Sequence, residues 1–140
     1  MTRNPIKGPH HHIITKQDEF NAFVGRACRQ PVVALDLEGN SFHRYPERIC
    51  LIQIATQDEA YLIDPLEIGD MTPLGQLLHS SQPIKLFHSA DYDVRSLDRE
   101  WGFRISSLFD TSLGASFLGI QQTGLGNVLM ELLNVEIPKQ

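Results

Sequence analysis

The stretch PVVALDLEG, residues 31–39, carries the most information about the fold. Its run of Val, Ala and Leu is typical of a buried strand, yet it ends in two acids, Asp36 and Glu38, with one residue between them. Side chains alternate across a strand, so both carboxylates lie on one face. Such a pair repels and loses hydration unless a cation lies between its members, and oxygen ligands of this kind suit magnesium or manganese. The alternative is a half-exposed strand end without a metal.

Extended and helical patterns alternate on both sides of this strand. The predicted strands lie at residues 31–38, 49–56, 60–64, 84–88 and 108–110, and the predicted helices at 16–29, 71–79, 91–101, 111–118 and 125–133. His10, His11 and His12 are expected in an exposed strand or a loop. Consecutive strands followed by crossover helices predict an α/β sandwich, in which helices flank a mixed sheet of three antiparallel strands and then parallel strands.

A second pair of acids opens the helix predicted at residues 91–101. Asp91 and Asp93 both lie in its first turn, where the helix N-terminus stabilises negative charge by roughly 0.3 to 1 kcal/mol. One can therefore stabilise the helix while the other binds a metal. Val94 and Leu97 are expected to face the core, and Asp93 lies one turn before Leu97. This spacing favours Asp93 over Asp91 as a ligand.

Composition and charge exclude several classes of protein. The 140 residues are 41% hydrophobic and 21% charged, which predicts a single globular domain over the whole chain, residues 1–140. No apolar run is long enough for a membrane span and no secretory signal is recognisable, so we expect a cytoplasmic protein without a membrane partner. Cys28 and Cys50 are expected as two reduced thiols in the core.

The net charge of −5 argues against a protein that binds nucleic acid mainly through an overall positive electrostatic field. Residues 31–70 hold eight acids against two arginines. This concentration indicates either a solvated acidic face or a cation site whose bound metal reverses the local charge and lets a phosphate approach.

Two further features are candidates for substrate contact. The segment GNSFHRYPER, residues 39–48, combines Phe42 and Tyr45 with Arg44, and aromatic rings that stack on unpaired bases beside an arginine on phosphate are typical of single-strand binding. The alternative is an ordinary hairpin loop whose aromatic rings pack locally. His88 follows a predicted strand near the acids and has either a structural role or a substrate contact.

Five segments in order resemble the ribonuclease D type of DEDD 3'-5' exonucleases: VVALDLEG, ERICLIQIAT, YLIDPL, LFHSADYDVRSL and LFDTSLGASFLG. The resemblance covers about residues 13–138. It implies a ribonuclease H-like fold, in which Asp36 and Glu38 match the acids of the first exonuclease motif and Asp93 matches the acid of the second. Asp110, in the segment similar to the family's FDT sequence, is interpreted as a supporting residue and not as a metal ligand.

The resemblance implies an enzyme that uses two divalent cations, Mg²⁺ or Mn²⁺, to hydrolyse nucleic acid from a single-stranded 3' end into nucleoside monophosphates, with RNA favoured over DNA. The family's third motif, a Tyr or His four residues before an Asp, has no counterpart, because residues 111–140 contain no Tyr, His or Asp. This difference predicts either a domain that is incomplete at its C-terminus, which we favour, or a degenerate member. The alternative function is a catalytically inactive nuclease-like module that binds nucleic acid or serves as a scaffold.

Overall fold

The structure is a computed structural model that describes residues 10–40 and 47–137. Every strand and helix that the sequence predicted is present in these residues, including the three consecutive strands after the first helix. In chain order the elements are β1 (His10–Ile14), α1 (Gln17–Ala27), β2 (Val32–Gly39), β3 (Ile49–Ala55), β4 (Glu59–Ile63), α2 (Thr72–His79), β5 (Ile84–Phe87), α3 (Asp91–Trp101), β6 (Leu108–Asp110), α4 (Thr111–Phe117) and α5 (Leu125–Leu133).

The described strands form one mixed sheet of six, in the order β1-β4-β3-β2-β5-β6. Strands β2, β3 and β4 are antiparallel neighbours, and β5 and β6 continue the sheet in parallel on the other side of β2. This arrangement confirms the predicted fold class. The sequence did not predict that β1 would pair with β4 in parallel, which extends the sheet at the far edge.

The two faces of β2 differ in what covers them. Val33, Leu35 and Leu37 are buried in the main hydrophobic core. Helices α1, α2 and α3 contribute buried side chains to that same core, among them Phe20, Phe23, Leu74, Leu77 and Leu97. Each large apolar side chain buried there stabilises the fold by about 1.5–3 kcal/mol. The opposite face of β2, which carries both acids of the strand, is exposed at alternate residues.

Two expectations about individual side chains are wrong. Cys28 and Cys50 are free thiols, as expected, but Cys28 is exposed and Cys50 is half-buried, so neither belongs to the core. Val94 is 36% exposed, whereas Leu97 is fully buried. Successive helix residues point about 100° apart, so Val94 lies outside the stripe that Asp93 and Leu97 share.

In the part of the chain that the structure describes, no helix has the length and apolar character needed to cross a membrane.

Candidate active site

Strand β2 presents its two acids on the open face of the sheet. Asp36 and Glu38 are both exposed, with the buried Leu37 between them, because side chains alternate along the strand. Gln53 of β3 lies opposite Asp36 in the ladder, and its Nε2 donates to Glu38 Oε1 at 3.4 Å. The sheet therefore holds both carboxylates on one surface, as the alternation predicted.

Helix α3 buries Asp93 next to this strand. The side chain is only 5% exposed, and the carboxyl group accepts a hydrogen bond from the backbone N–H of Leu37. Burial raises the pKa of Asp93, the negative charge of Asp36 raises it further, and the result is a value of about 6. The structure thus brings Asp36 of β2 and Asp93 of α3 close enough for their charges to interact.

Asp91 has a different environment. Its side chain is 78% exposed and forms an ion pair with Arg95, one turn later on the same helix. Arg99 lies one further turn along and contacts Glu47. The charge of Asp91 is therefore paired with Arg95 at the surface, whereas Asp93 faces the strand. The spacing to Leu97 predicted this difference between the two acids.

Asp110 fixes the backbone that leads into α3. Its carboxylate accepts hydrogen bonds from the backbone N–H groups of Ser89 (3.0 Å) and Ala90 (2.9 Å), directly before the helix. It also caps α4 by accepting from Ser112 N (2.9 Å) and Leu113 N (3.3 Å). Burial raises the pKa of Asp110, but the four N–H donors together outweigh burial and hold the pKa below its ordinary value. This residue therefore supports the position of Asp93 through the backbone.

Ser89 shows why such support is needed. It has a φ of 61°, in the left-handed region that non-glycine residues seldom adopt. The two hydrogen bonds from Ser89 and Ala90 to Asp110 hold the chain in this turn. The sequence pattern gave no indication of either contact, because the donors and the acceptor are about twenty residues apart.

A cavity of about 510 Å³ lies on the open face of the sheet, next to Asp36. Its lining is mostly apolar, which is typical of ligand sites. Asp36, Gln53, His88 and Thr111 are among the polar residues that line it. The structure therefore places His88 on the same cavity as the first of the predicted acids.

Phe42, Arg44 and Tyr45, the other predicted substrate contacts, lie outside the described residues. Both ends of their segment are described. Glu47 Oε1 accepts a hydrogen bond from Tyr92 Oη at 2.5 Å, and Glu100 accepts from Arg48 Nε at 3.3 Å and from Ile49 N at 2.6 Å. Helix α3 thus anchors the C-terminal end of this segment while also carrying Asp93.

Sequence reasoning missed the anchoring residues Glu47, Tyr92 and Glu100. One sequence signal for them exists at Gly39, where an added Cβ would clash with Tyr92 Oη and Glu47 Oε1. Glycine at the end of β2 therefore allows the close approach of this pair. The identity of the partners depends on tertiary contacts that no local pattern encodes.

The arrangement of Asp36 and Asp93 fits a cation. Among the described residues, Asp93 Oδ1 is buried and has no hydrogen-bond partner, although a buried carboxylate oxygen needs one. A divalent ion would satisfy this oxygen and relieve the repulsion from Asp36. Within residues 10–40 and 47–137, however, no three His, Cys, Asp or Glu side chains cluster closely enough to hold a metal ion by themselves. The convergence of Asp36, Glu38 and Asp93 on a shared site for divalent cations stays a prediction.

Comparison with known proteins gives a consistent result. A family model described as 3'-5' exonuclease matches residues 11–140. Ribonuclease D of Gluconacetobacter diazotrophicus is 34% identical over 129 residues, which are 91% of this chain and 33% of that protein. This chain therefore spans about a third of the length of the ribonuclease D relatives that it matches.

Solved structures agree with this relationship. The catalytic core of RRP6 from Trypanosoma brucei superposes with a TM-score of 0.89 at 25% identity, over 98% of this chain and 38% of that chain. RNase D from Escherichia coli superposes with a TM-score of 0.84 at 27% identity, over 92% and 35% of the two chains. Both superpositions cover more than nine-tenths of this chain.

Proposed function

The chain belongs to the 3'-5' exonuclease family and is similar to ribonuclease D, and on that premise we propose that it hydrolyses phosphodiester bonds at a 3' end and releases nucleoside monophosphates. RNA is the favoured substrate, because the curated relatives at about 34% identity are ribonucleases. The observation that carries the proposal is the buried, unpartnered oxygen of Asp93 beside the charge of Asp36.

Divalent cations, Mg²⁺ or Mn²⁺, would be held by Asp36, Glu38 and Asp93. The family resemblance implies two such ions. When bound, such ions supply Lewis-acid activation of a water molecule and stabilisation of the leaving oxygen. Without positive charge at this point, the carboxylates would repel the phosphodiester, since the chain has a net charge of −5. The acidic surface is therefore compatible with a polyanionic substrate only as a cation site.

The chain's own residues orient the substrate in this proposal. Phe42, Arg44 and Tyr45 contact the single-stranded 3' end, and the hydrogen bonds of Glu47 and Glu100 hold residues 47–49, which follow them in the chain, against α3. Asp110 holds the turn before α3, so that Asp93 stays directed at β2. These contacts support binding of the scissile phosphate between the acids of β2 and the start of α3.

The test uses the complete protein as its natural gene encodes it and a uniformly labelled single-stranded RNA, with the DNA of the same sequence for comparison. Asp36→Asn removes one of the two interacting charges, and we expect release of mononucleotides in Mg²⁺ or Mn²⁺ to fall by about a hundredfold or more. Asp91→Asn is the matched control, because Asp91 is an exposed acid with its own arginine partner. Equal activity of the Asp36 variant and the wild type would refute the assignment.

A catalytically inactive binding or scaffold module is the second candidate. It is favoured by the lack of a three-residue metal cluster in the described part of the chain. Calorimetric titration with Mn²⁺ separates the two functions. Uptake by the wild type that exceeds uptake by Asp36→Asn supports the enzyme, and equal uptake supports the scaffold.

A further inference from the structure

The hydrogen bonds around His88 determine which of its ring nitrogens carries the proton. His88 Nδ1 lies 2.8 Å from Thr111 Oγ1, and the same hydroxyl lies 3.1 Å from the carbonyl oxygen of Phe87. A carbonyl oxygen can only accept, so Thr111 donates its single proton to Phe87. The hydroxyl oxygen is then free to accept from Nδ1–H, so this contact selects the His88 tautomer that carries its proton on Nδ1.

The second nitrogen of this ring is consequently a hydrogen-bond acceptor. Nε2 of His88 is buried and has no partner in the described chain. An unpaired buried nitrogen is costly, and such a group needs a partner that the described residues do not supply. His88 and Thr111 both line the 510 Å³ cavity that Asp36 also lines. Because Nε2 is buried, an occupant of that cavity becomes its partner only if the ring turns slightly toward the cavity.

We propose that His88 Nε2 accepts a hydrogen bond from a ribose hydroxyl of the nucleic acid at its 3' end. The inference rests on the proposed function, which places the terminal nucleotides next to Asp36. Phosphodiester oxygens only accept hydrogen bonds, so they cannot pair with an acceptor nitrogen, whereas the ribose hydroxyls are donors. The 2'-hydroxyl, found in RNA alone, and the terminal 3'-hydroxyl, shared with DNA, are the two sources of this donor.

The experiment pairs a protein change with a substrate change. Wild-type complete protein and His88→Ala are each given four versions of one RNA: unmodified, 2'-deoxy at the last nucleotide, 2'-deoxy at the penultimate nucleotide, and 3'-deoxy at the last nucleotide. We expect the variant to lower kcat/KM on unmodified RNA by roughly 3- to 10-fold, the effect of losing one neutral hydrogen bond. On the RNA that lacks the recognised hydroxyl, the variant and the wild type should be equally active.

The substrate on which the difference disappears identifies the hydroxyl. A loss that is the same on all four RNAs, or no loss on any, would overturn the proposal, because a purely structural role of His88 cannot depend on a single substrate hydroxyl. If the wild type releases no mononucleotide, the proposed function fails. The affinities of the same four RNAs, measured by fluorescence anisotropy, then replace kcat/KM, and the same comparison decides the role of His88.

Thr111 provides an independent variant that leaves the imidazole in place. Thr111→Val removes the hydroxyl that fixes the proton on Nδ1, and Thr111→Ser retains it. We expect the valine variant to show a smaller version of the His88→Ala pattern, with its loss again limited to RNA that carries the recognised hydroxyl. The serine variant should match the wild type. A valine variant whose loss is equal on all four RNAs would count against the tautomer argument.

Discussion

Asp93 is held in an environment that disfavours its charge. Burial is the main cause of its raised pKa, and the negative charge of Asp36 adds to it, while the N–H of Leu37 opposes both. With a pKa of about 6 in the folded protein and 3.8 as the ordinary value, the folded state binds more protons than the unfolded state between these pH values. The metal-free protein should therefore lose stability as the pH rises from about 4 to about 6.

The substitution Asp93→Asn should remove this loss. In the presence of EDTA at pH 7, we expect the free energy of unfolding to increase by about 1–3 kcal/mol, since one pKa unit corresponds to about 1.4 kcal/mol. Urea unfolding at pH 4, 5, 6 and 7 measures the effect. In the variant the stability should change less over this range than in the wild type. A variant that keeps the wild-type pH dependence would show that Asp93 does not cause it.

Asp91→Asn is the control for this experiment. It removes the same charge two residues earlier, at a side chain that is 78% exposed and paired with Arg95. Exposed helix pairs of this kind contribute little, so its pH dependence should follow the wild type. If both variants gain stability at pH 7, the cause is the charge of the helix and not the burial of Asp93.

At the scale of elements, Asp110 joins β6, the turn before α3 and the first turn of α4. Four backbone N–H groups depend on its two carboxylate oxygens. A helix cap alone typically stabilises by about 1 kcal/mol, and Asp110 also holds Ser89 in a left-handed conformation. Asp110, which the resemblance identified as a supporting residue, thus connects β6, the turn before α3 and the first turn of α4.

The substitution Asp110→Ala should lower the free energy of unfolding by about 2 kcal/mol, because it leaves a helix N-terminus and a strained turn without their acceptor. Thermal and urea unfolding measure the loss. Asp70→Ala is the matched comparison, since among the described residues Asp70 accepts from a single backbone N–H for a helix start, that of Thr72 at 2.9 Å, and from the hydroxyl of the same residue. The loss for Asp110 should clearly exceed the loss for Asp70, and equal losses would contradict a role that spans three elements.

Local signals were sufficient for several elements and failed for long-range contacts. The bounds of α3 and α5 agree with the prediction because apolar spacing defines both, and a left-handed Gly102 ends α3. The parallel pairing of β1 with β4 joins His10 to Glu59, and no periodicity within either strand specifies a partner so far away. The same limit applies to the site. Alternation along β2 correctly placed Asp36 and Glu38 on one face. The contacts that Asp110 makes with the turn before α3 join distant parts of the chain, and no local pattern indicated them.

At the scale of the whole molecule, the apolar side chains are unevenly covered. The main core lies on one side of the sheet, while Ala115, Ile120 and Val128 form a separate small cluster around α4 and α5. Several large side chains near these helices remain exposed: Leu113 57%, Phe117 83%, Leu118 71%, Leu132 51% and Leu133 65%. We refer to these five residues as the α4–α5 apolar surface. Apolar surfaces of this kind promote association in water.

This surface should dominate how the 140-residue chain behaves in solution. Replacing Phe117 and Leu118 together by Ser removes its two most exposed members, which contribute little burial, so the melting temperature should change little while dye binding and self-association decrease. Anilinonaphthalene sulfonate fluorescence and sedimentation at several concentrations measure both effects. Gln121→Ser with Gln122→Ser, an exposed polar pair nearby, is the control and should resemble the wild type. Unchanged dye binding in the Phe117 and Leu118 variant would locate the accessible apolar surface elsewhere, with the cavity beside Asp36 as the next region to test.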